Sequence, residues 1–155
     1  MSSFKDLRIV DNFYQTSAFY PMPTILVSTL AEDGQTSLGS YSLCFPYYVA
    51  GKDYYAMLLE TRNSSNTAQN ILRSGTCALN FIEDSRANFK EAVRLGFPGE
   101  TCAEKMKGCR FTLEEGQAGG EQKRPLVVKE AYQVMECTWM SDLEGASEDS
   151  ARVGQ

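Results

Sequence analysis

The chain has 155 residues, with 20 acidic and 15 basic side chains and a formal net charge of -5. This length suits one domain, and the acidic balance disfavours nucleic-acid binding, which needs clustered positive charge. The sequence contains no histidine. This excludes Ser-His-Asp and Cys-His nucleophiles, His-ligated zinc and His-ligated haem, because each needs an imidazole.

The first residues lack the basic and apolar regions of a secretory signal, and no stretch approaches the ~18 apolar residues of a membrane span. We therefore expect a soluble cytoplasmic protein with no membrane partner. The five cysteines form no CxxC pair, which predicts reduced thiols. Cys77 and Cys137 lie in alternating apolar runs and are expected to be small buried hydrophobes without assigned chemistry.

Three strands are predicted in the first part of the chain. Residues 25–30 form a β-branched apolar run, and Asp33-Gly34 supplies the signal of a hairpin turn. The returning strand is predicted over residues 36–45, although its Ser- and Gly-rich composition is unusual for a core strand. Residues 54–60 predict a third strand that is partly buried on both faces.

Three short helices follow from capping signals. A serine N-cap within residues 62–65 and Gly75 bound the first helix, Ser85 caps the second, which ends near Gly96, and Thr101 caps the third, which runs to Met106. The residues expected to face the core from the first two helices are Ala68, Ile71, Leu72, Phe89, Ala92 and Val93.

The remaining segments predict further strands. Residues 76–82 and 110–115 each fit a strand, residues 116–123 a polar loop, and residues 127–140 a long strand or hairpin. The chain is therefore predicted to be mainly β with short helices, most simply a β-barrel of Greek-key or split type. Its C-terminal core candidates are Val128, Ala131, Val134, Cys137 and Trp139.

Two polar segments are candidate binding sites. Small residues in Gly39–Leu43 allow a ligand close to the backbone, which suits a flat polar ring, although a strand with one solvated face explains them as well. Arg62–Thr67 lies at a helix N-terminus with hydroxyls and a guanidinium, which suits a phosphate monoester. An ordinary N-cap with a solvated arginine is the alternative.

The order and spacing of several segments, most closely over residues 19–82, resemble the flavin reductase-like family of FMN-binding split-barrel proteins. No single motif is diagnostic, and the succession carries the resemblance. The segments are Pro21-Met-Pro-Thr-Ile-Leu-Val-Ser-Thr29, Glu32-Asp-Gly34, Ser37-Leu-Gly-Ser-Tyr-Ser-Leu43, Arg62-Asn-Ser-Ser-Asn-Thr-Ala-Gln-Asn-Ile71 and Cys77-Ala-Leu-Asn-Phe81.

The resemblance implies a single domain over residues 1–155, a six-stranded split β-barrel, and a homodimer that binds FMN, or alternatively FAD, at or near the subunit interface. The segment resembling the family's ring-binding loop would contact the isoalloxazine through its backbone, and a second segment would hold the phosphate. The implied cofactor residues are Ser40, Tyr41, Ser42, Leu43, Arg62, Asn63, Ser64, Ser65 and Thr67.

The resemblance further implies an oxidoreductase that passes electrons from NADH or NADPH through flavin to an acceptor, and flavin carries this chemistry without a catalytic side chain. The alternatives are a non-catalytic flavin-binding redox module and a split-barrel relative with haem or another cofactor. Family members commonly continue into a Gly-Asp-His-like stretch and a final strand, which we expect beyond Gln155. Residues 88–108 fit either a cover over the flavin or a surface helix pair.

Overall fold

The structure is a computed structural model that describes residues 22–47 and 54–141. Tyr48 and the acidic segment at residues 142–150 lie outside the described residues. The elements in chain order are β1 (Ile25–Leu30), β2 (Thr36–Tyr41), β3 (Cys44–Tyr47), β4 (Ala56–Leu59), α1 (Asn66–Ser74), β5 (Thr76–Ile82), α2 (Arg86–Gly96), α3 (Cys102–Met106), β6 (Leu113–Glu114), β7 (Val127–Val128) and β8 (Ala131–Thr138).

The largest sheet of the described residues has four antiparallel strands in the order β2-β1-β5-β8. The predicted hairpin joins β1 to β2, where Gly34 adopts a φ of 77° and its N–H donates to the Ala31 carbonyl at 2.9 Å. That positive φ suits glycine, which has no Cβ to clash. The hairpin sets the pairing of Val27 with Gly39.

The predicted strand over residues 36–45 is interrupted. β2 ends at Tyr41, the chain bends at Ser42, and β3 pairs with β4 in a separate two-stranded sheet. The chain therefore leaves one sheet and enters another around Ser42 and Leu43, which alternation of residue types alone does not reveal. A third sheet pairs β6 with β7, so the predicted long C-terminal segment divides between two sheets.

The helix caps are those predicted from the sequence. The Ser65 side chain accepts a hydrogen bond from the Ala68 N–H at 3.1 Å, and Gly75 ends α1 in the left-handed region at φ 72°. Ser85 caps α2 in the same way. In α3, Thr101 and Glu104 form a capping box, in which each residue's side chain accepts from the other's N–H.

Both faces of the main sheet are covered. Ile25 and Val27 join one apolar cluster with Ile71 of α1, whereas Leu26 joins a second cluster with Leu95 of α2. Every residue of β1 is buried, as expected for a strand with packing on both sides. The described part of the chain is thus mainly β, with antiparallel sheets and short helices, as predicted.

The core-facing predictions need correction where helical spacing alone was used. Ile71 and Ala92 are buried, but Leu72 is 62% exposed and Phe89 is 57% exposed, because Asn70 and Leu95 take the inward positions instead. The remaining predicted core residues that the structure leaves substantially exposed are Val93 and Trp139.

Candidate functional site

A cavity of about 560 Å³ lies between β2, the N-terminus of α1 and the α2–α3 connection. Three separate chain segments line it, at residues 37–43, 60–67 and 95–105. The two polar segments identified in the sequence therefore line the same cavity. The lining residues are Ser37, Leu38, Gly39, Ser40, Tyr41, Ser42, Leu43, Glu60, Thr61, Arg62, Ser64, Ser65, Asn66, Thr67, Leu95, Gly96, Pro98, Gly99, Glu100, Thr101 and Lys105.

The first wall is the end of β2 and the bend that follows it. Ser40, Tyr41, Ser42 and Leu43 are half-buried. Ser40 and Tyr41 are the last residues of β2 that pair with β1, and the pairing with β4 starts only at Cys44. The Leu43 carbonyl accepts from the Glu60 N–H at 2.9 Å, which holds the bend against the second wall. Backbone at a strand end can hydrogen-bond the edge of a flat polar ligand.

Two glycines allow the walls to approach one another. A Cβ at Gly39 would lie 2.7 Å from the Thr67 hydroxyl oxygen and 3.0 Å from the Tyr41 ring, so β2 contacts the N-terminus of α1 only because this position has no side chain. A Cβ at Gly96 would lie 2.6 Å from the Ser40 hydroxyl oxygen. Both glycines belong to the cavity lining.

The second wall is the N-terminus of α1, which is suited to an anion. The first turn holds no acidic side chain, and its Asn66 and Thr67 N–H groups come too early in α1 to have a carbonyl partner within the helix. These donors and the helix dipole favour a negatively charged group. Arg62 adds a guanidinium to the lining, and its carbonyl accepts from the Ser65 N–H at 2.9 Å.

The third wall comes from the connection between α2 and α3. The Asn66 side chain donates to the Glu100 carbonyl at 2.9 Å, which ties this connection to the start of α1. Lys105 donates to the Leu95 carbonyl at 3.1 Å and closes the wall from the other side. The backbone N–H and hydroxyl of Thr101 donate to Glu104 and hold the pKa of that carboxyl below its usual range.

Most of the predicted cofactor residues meet in the cavity, whereas Asn63 is exposed and does not line it. The predicted residues that line it are Ser40, Tyr41, Ser42, Leu43, Arg62, Ser64, Ser65 and Thr67. In the sequence, residues 88–108 fit either a cover over a flavin or a surface helix pair. Part of this segment, within residues 95–105 and including Gly96 and Gly99, lines the cavity.

The charged side chains of the cavity carry both signs, and the described residues offer no metal site. Its charged side chains are Arg62, Lys105, Glu60 and Glu100, so cations and carboxylates are balanced. Within residues 22–47 and 54–141, no group of three or more Cys, Asp or Glu side chains is placed to hold a metal ion. Within the same ranges, none of the helices has the length and apolar character needed to span a bilayer.

No protein-family model and no curated protein sequence matches the chain. Solved structures do match. The flavoredoxin of Desulfovibrio vulgaris (Miyazaki F) aligns at a TM-score of 0.65 and 18% identity, over 93% of this chain and 69% of that protein. The flavoredoxin of Methanosarcina acetivorans aligns at a TM-score of 0.63 and 20% identity, over 92% of this chain and 68% of that protein.

A third match is an FMN-binding domain of a flavin reductases-like enzyme from Shewanella baltica OS155. It aligns at a TM-score of 0.61 and 19% identity, over 77% of this chain and 58% of that protein. The fold of this chain is therefore the one that flavoredoxins and flavin reductase-like proteins share. The likeness predicted from the order of the sequence segments is confirmed at the level of the fold.

Proposed function

We propose that this protein is an FMN-binding oxidoreductase of the flavin reductase type, which passes electrons from NADH or NADPH through flavin to an acceptor. The observation that carries the proposal is that the predicted ring-binding and phosphate-binding segments line one cavity. Flavin-binding neighbours with the same fold support it. The proposal extends to a single domain over residues 1–155 and to a six-stranded split barrel built on the antiparallel sheets.

The cavity fits the cofactor in its volume and in its donors. Its volume of about 560 Å³ lies within the range of small-molecule sites. We assign the phosphate to Arg62, Ser64 and the N-terminus of α1, and the flat ring to the bend at Ser42 and Leu43. A phosphate monoester at the helix start favours FMN over FAD, because the dianion of FMN gains most from the unpaired N–H groups.

The side chains bind and position the cofactor, and the bound flavin supplies the hydride and electron chemistry. Gly39 and Gly96 allow the walls to close on a planar ligand, and Asn66 fixes the third wall through the Glu100 carbonyl. Tyr41 and Leu43 line the side of the cavity next to the bend. The proposal also includes a homodimer in the cytoplasm, which sedimentation and fractionation would test.

The test is the visible spectrum of the purified protein, followed by titration with FMN and riboflavin. The double variant Arg62→Ala with Thr67→Ala should lower FMN affinity about 10- to 100-fold, since a hydrogen bond to a charged group contributes about 1.5–3 kcal/mol. Riboflavin affinity should change much less, because riboflavin has no phosphate. Arg86→Ala, which removes an exposed arginine outside the cavity, is the matched control.

Equal losses for FMN and riboflavin would contradict the phosphate assignment. A colourless protein that ignores added FMN would contradict the function as a whole. If FMN binds but reduced nicotinamide is not consumed, the protein is a non-catalytic flavin-binding redox module instead. Sedimentation as a monomer that retains FMN would remove the homodimer from the proposal.

A further inference from the structure

Three cysteines lie together away from the cavity lining. Cys44 and Cys77 are buried in the apolar cluster under the main sheet, and Cys137 packs against the same cluster from β8. Their arrangement does not suit a metal ion, since the described residues contain no group of side chains placed to hold one. All three thiols are free, and the proposed flavin chemistry uses none of them.

Cys77 and Cys137 are directly opposite each other on neighbouring antiparallel strands. The Trp139 N–H donates to the Gly75 carbonyl at 2.8 Å, so that position is a hydrogen-bonded pair. Because such pairs alternate along the ladder, the cysteine pair two residues away is hydrogen-bonded too. Its Cα atoms are therefore about 5.5 Å apart, within the range of about 4.4–6.8 Å that a disulfide spans.

The two opposed thiols differ in acidity. The Cys137 thiol donates a hydrogen bond to the Met135 carbonyl at 3.5 Å. The facing Cys77 side chain lowers the pKa of Cys137, whereas Cys137 and burial both raise the pKa of Cys77. The proton is thus lost more readily from Cys137, the less buried of the two residues.

Arg124 supplies a positive charge beside the pair. Its guanidinium acts to lower the pKa of both Cys77 and Cys137, whereas burial and the Glu136 carboxylate act to raise that of Cys137. The Nε and Nη1 atoms of Arg124 are buried and have no hydrogen-bond partner among the described residues. Buried donors normally have partners, and a thiolate at Cys137 is an anion that would compensate them.

We propose that Cys77 and Cys137 form a redox-active dithiol, which hydroperoxides convert to a reversible cross-strand disulfide. The Cys137 thiolate attacks one oxygen of hydrogen peroxide, the O–O bond breaks, and Cys137 sulfenic acid and hydroxide form. The Cys77 thiol then attacks that sulfur, and water leaves as the S–S bond forms. The pair loses two protons and two electrons, and the peroxide is reduced to two molecules of water.

The geometry makes this disulfide labile. Opposed Cβ atoms in an antiparallel pair lie about 4.5–5.5 Å apart, whereas a disulfide needs about 3.5–4.5 Å. The strands must therefore draw together locally as the bond forms, and strained disulfides are the readily reduced ones. Cys44 lies outside this pair, because its register partner on the neighbouring strand is Leu59 of β4. Burial also raises the pKa of its thiol to about 11.

The test is treatment of the reduced, native full chain with hydrogen peroxide, followed by alkylation, proteolysis and peptide mass mapping. We expect a peptide pair linked through Cys77 and Cys137 that dithiothreitol separates. The control variant Cys109→Ser, which removes a half-buried thiol from the other apolar cluster, should still form the link. In Cys77→Ser, Cys137 should instead accumulate as sulfenic acid that dimedone labels.

The inference is overturned if both cysteines remain alkylatable while Cys102 or Cys109 is oxidised. It is also overturned if the link joins Cys44 to either partner, or if it forms only in denaturant. If Cys77→Ser does not fold, the presence or absence of the Cys77–Cys137 linked peptide in the wild-type chain decides the inference. Because no readout depends on flavin, failure of this inference is distinguishable from failure of the proposed function.

Discussion

Asn80 on β5 provides the sharpest test of how the sheets are joined. Its side chain is fully buried, and its amide donates to the Leu26 carbonyl at 2.9 Å and to the Ser28 hydroxyl at 2.8 Å. Its carbonyl oxygen accepts from the Val128 N–H at 2.9 Å. One side chain therefore connects three strands, including β7 of a separate sheet.

We predict that Asn80→Ala lowers the free energy of unfolding by about 3–5 kcal/mol. The buried Val128 N–H would lose its acceptor, which costs about 1–3 kcal/mol. Each of the two hydrogen bonds that the Asn80 amide donates contributes about 1 kcal/mol more. The measurement is urea denaturation, with the stability change taken from the midpoint at constant slope. Ligand binding is kept out of the assay, since any ligand would add its own stabilisation.

Asn88→Ala is the matched control. Asn88 makes a side-chain hydrogen bond to the Glu83 carbonyl at 3.0 Å in exposed surroundings, so its loss should cost less than about 1 kcal/mol. A difference between the two variants of less than about 1 kcal/mol would refute the reasoning. Asn80 would then be a tolerated polar residue, and β7 would be held by apolar contacts such as those of Val128.

Two further predictions follow from the cavity and from the partly buried Glu91–Arg94 ion pair. Gly39→Ala should cost about 1–3 kcal/mol by overpacking and weaken FMN binding in titration, whereas Gly119→Ala, where a Cβ meets nothing within 4 Å, should leave FMN affinity unchanged. Hydrogen bonds from Arg94 lower the pKa of Glu91 in the folded protein. The ionised Glu91 therefore stabilises the fold fully above the ordinary glutamate pKa, and this contribution is lost as the pH falls through the lowered pKa of the folded state. Glu91→Gln should therefore lose less stability to urea than the wild type as the pH falls from neutral to below the ordinary glutamate pKa of 4.5. An equal loss in both proteins would contradict this.

Local chemistry predicted the elements well where one short signal decides the structure. The Asp33-Gly34 turn, the serine cap of α1 and the Thr101 cap of α3 depend on neighbouring residues only, and all are present. Two cavity walls were predicted for the same reason: a helix start and a small-residue strand end are readable in the sequence.

Tertiary packing decided the rest. Helical spacing placed Leu72 inward, but the buried Asn70 takes that role through its hydrogen bond to Thr29 at 3.0 Å. The break at Ser42 depends on which strand β3 finds as a partner, and this is a property of the assembled fold. The wall at residues 95–105 reaches the cavity only because α2 and α3 both pack against β2.

The change of sheet at Ser42 and Leu43 has a mechanical consequence. The four-stranded sheet holds the chain before this bend, and the β3–β4 sheet holds it afterwards. Sliding of one sheet against the other would rotate the backbone at these two residues, as at a hinge, together with the connection that leads from β4 through α1 to β5. Since both residues also line the cavity, relative motion of the sheets would change its width directly, which couples ligand occupancy to the stiffness of the fold.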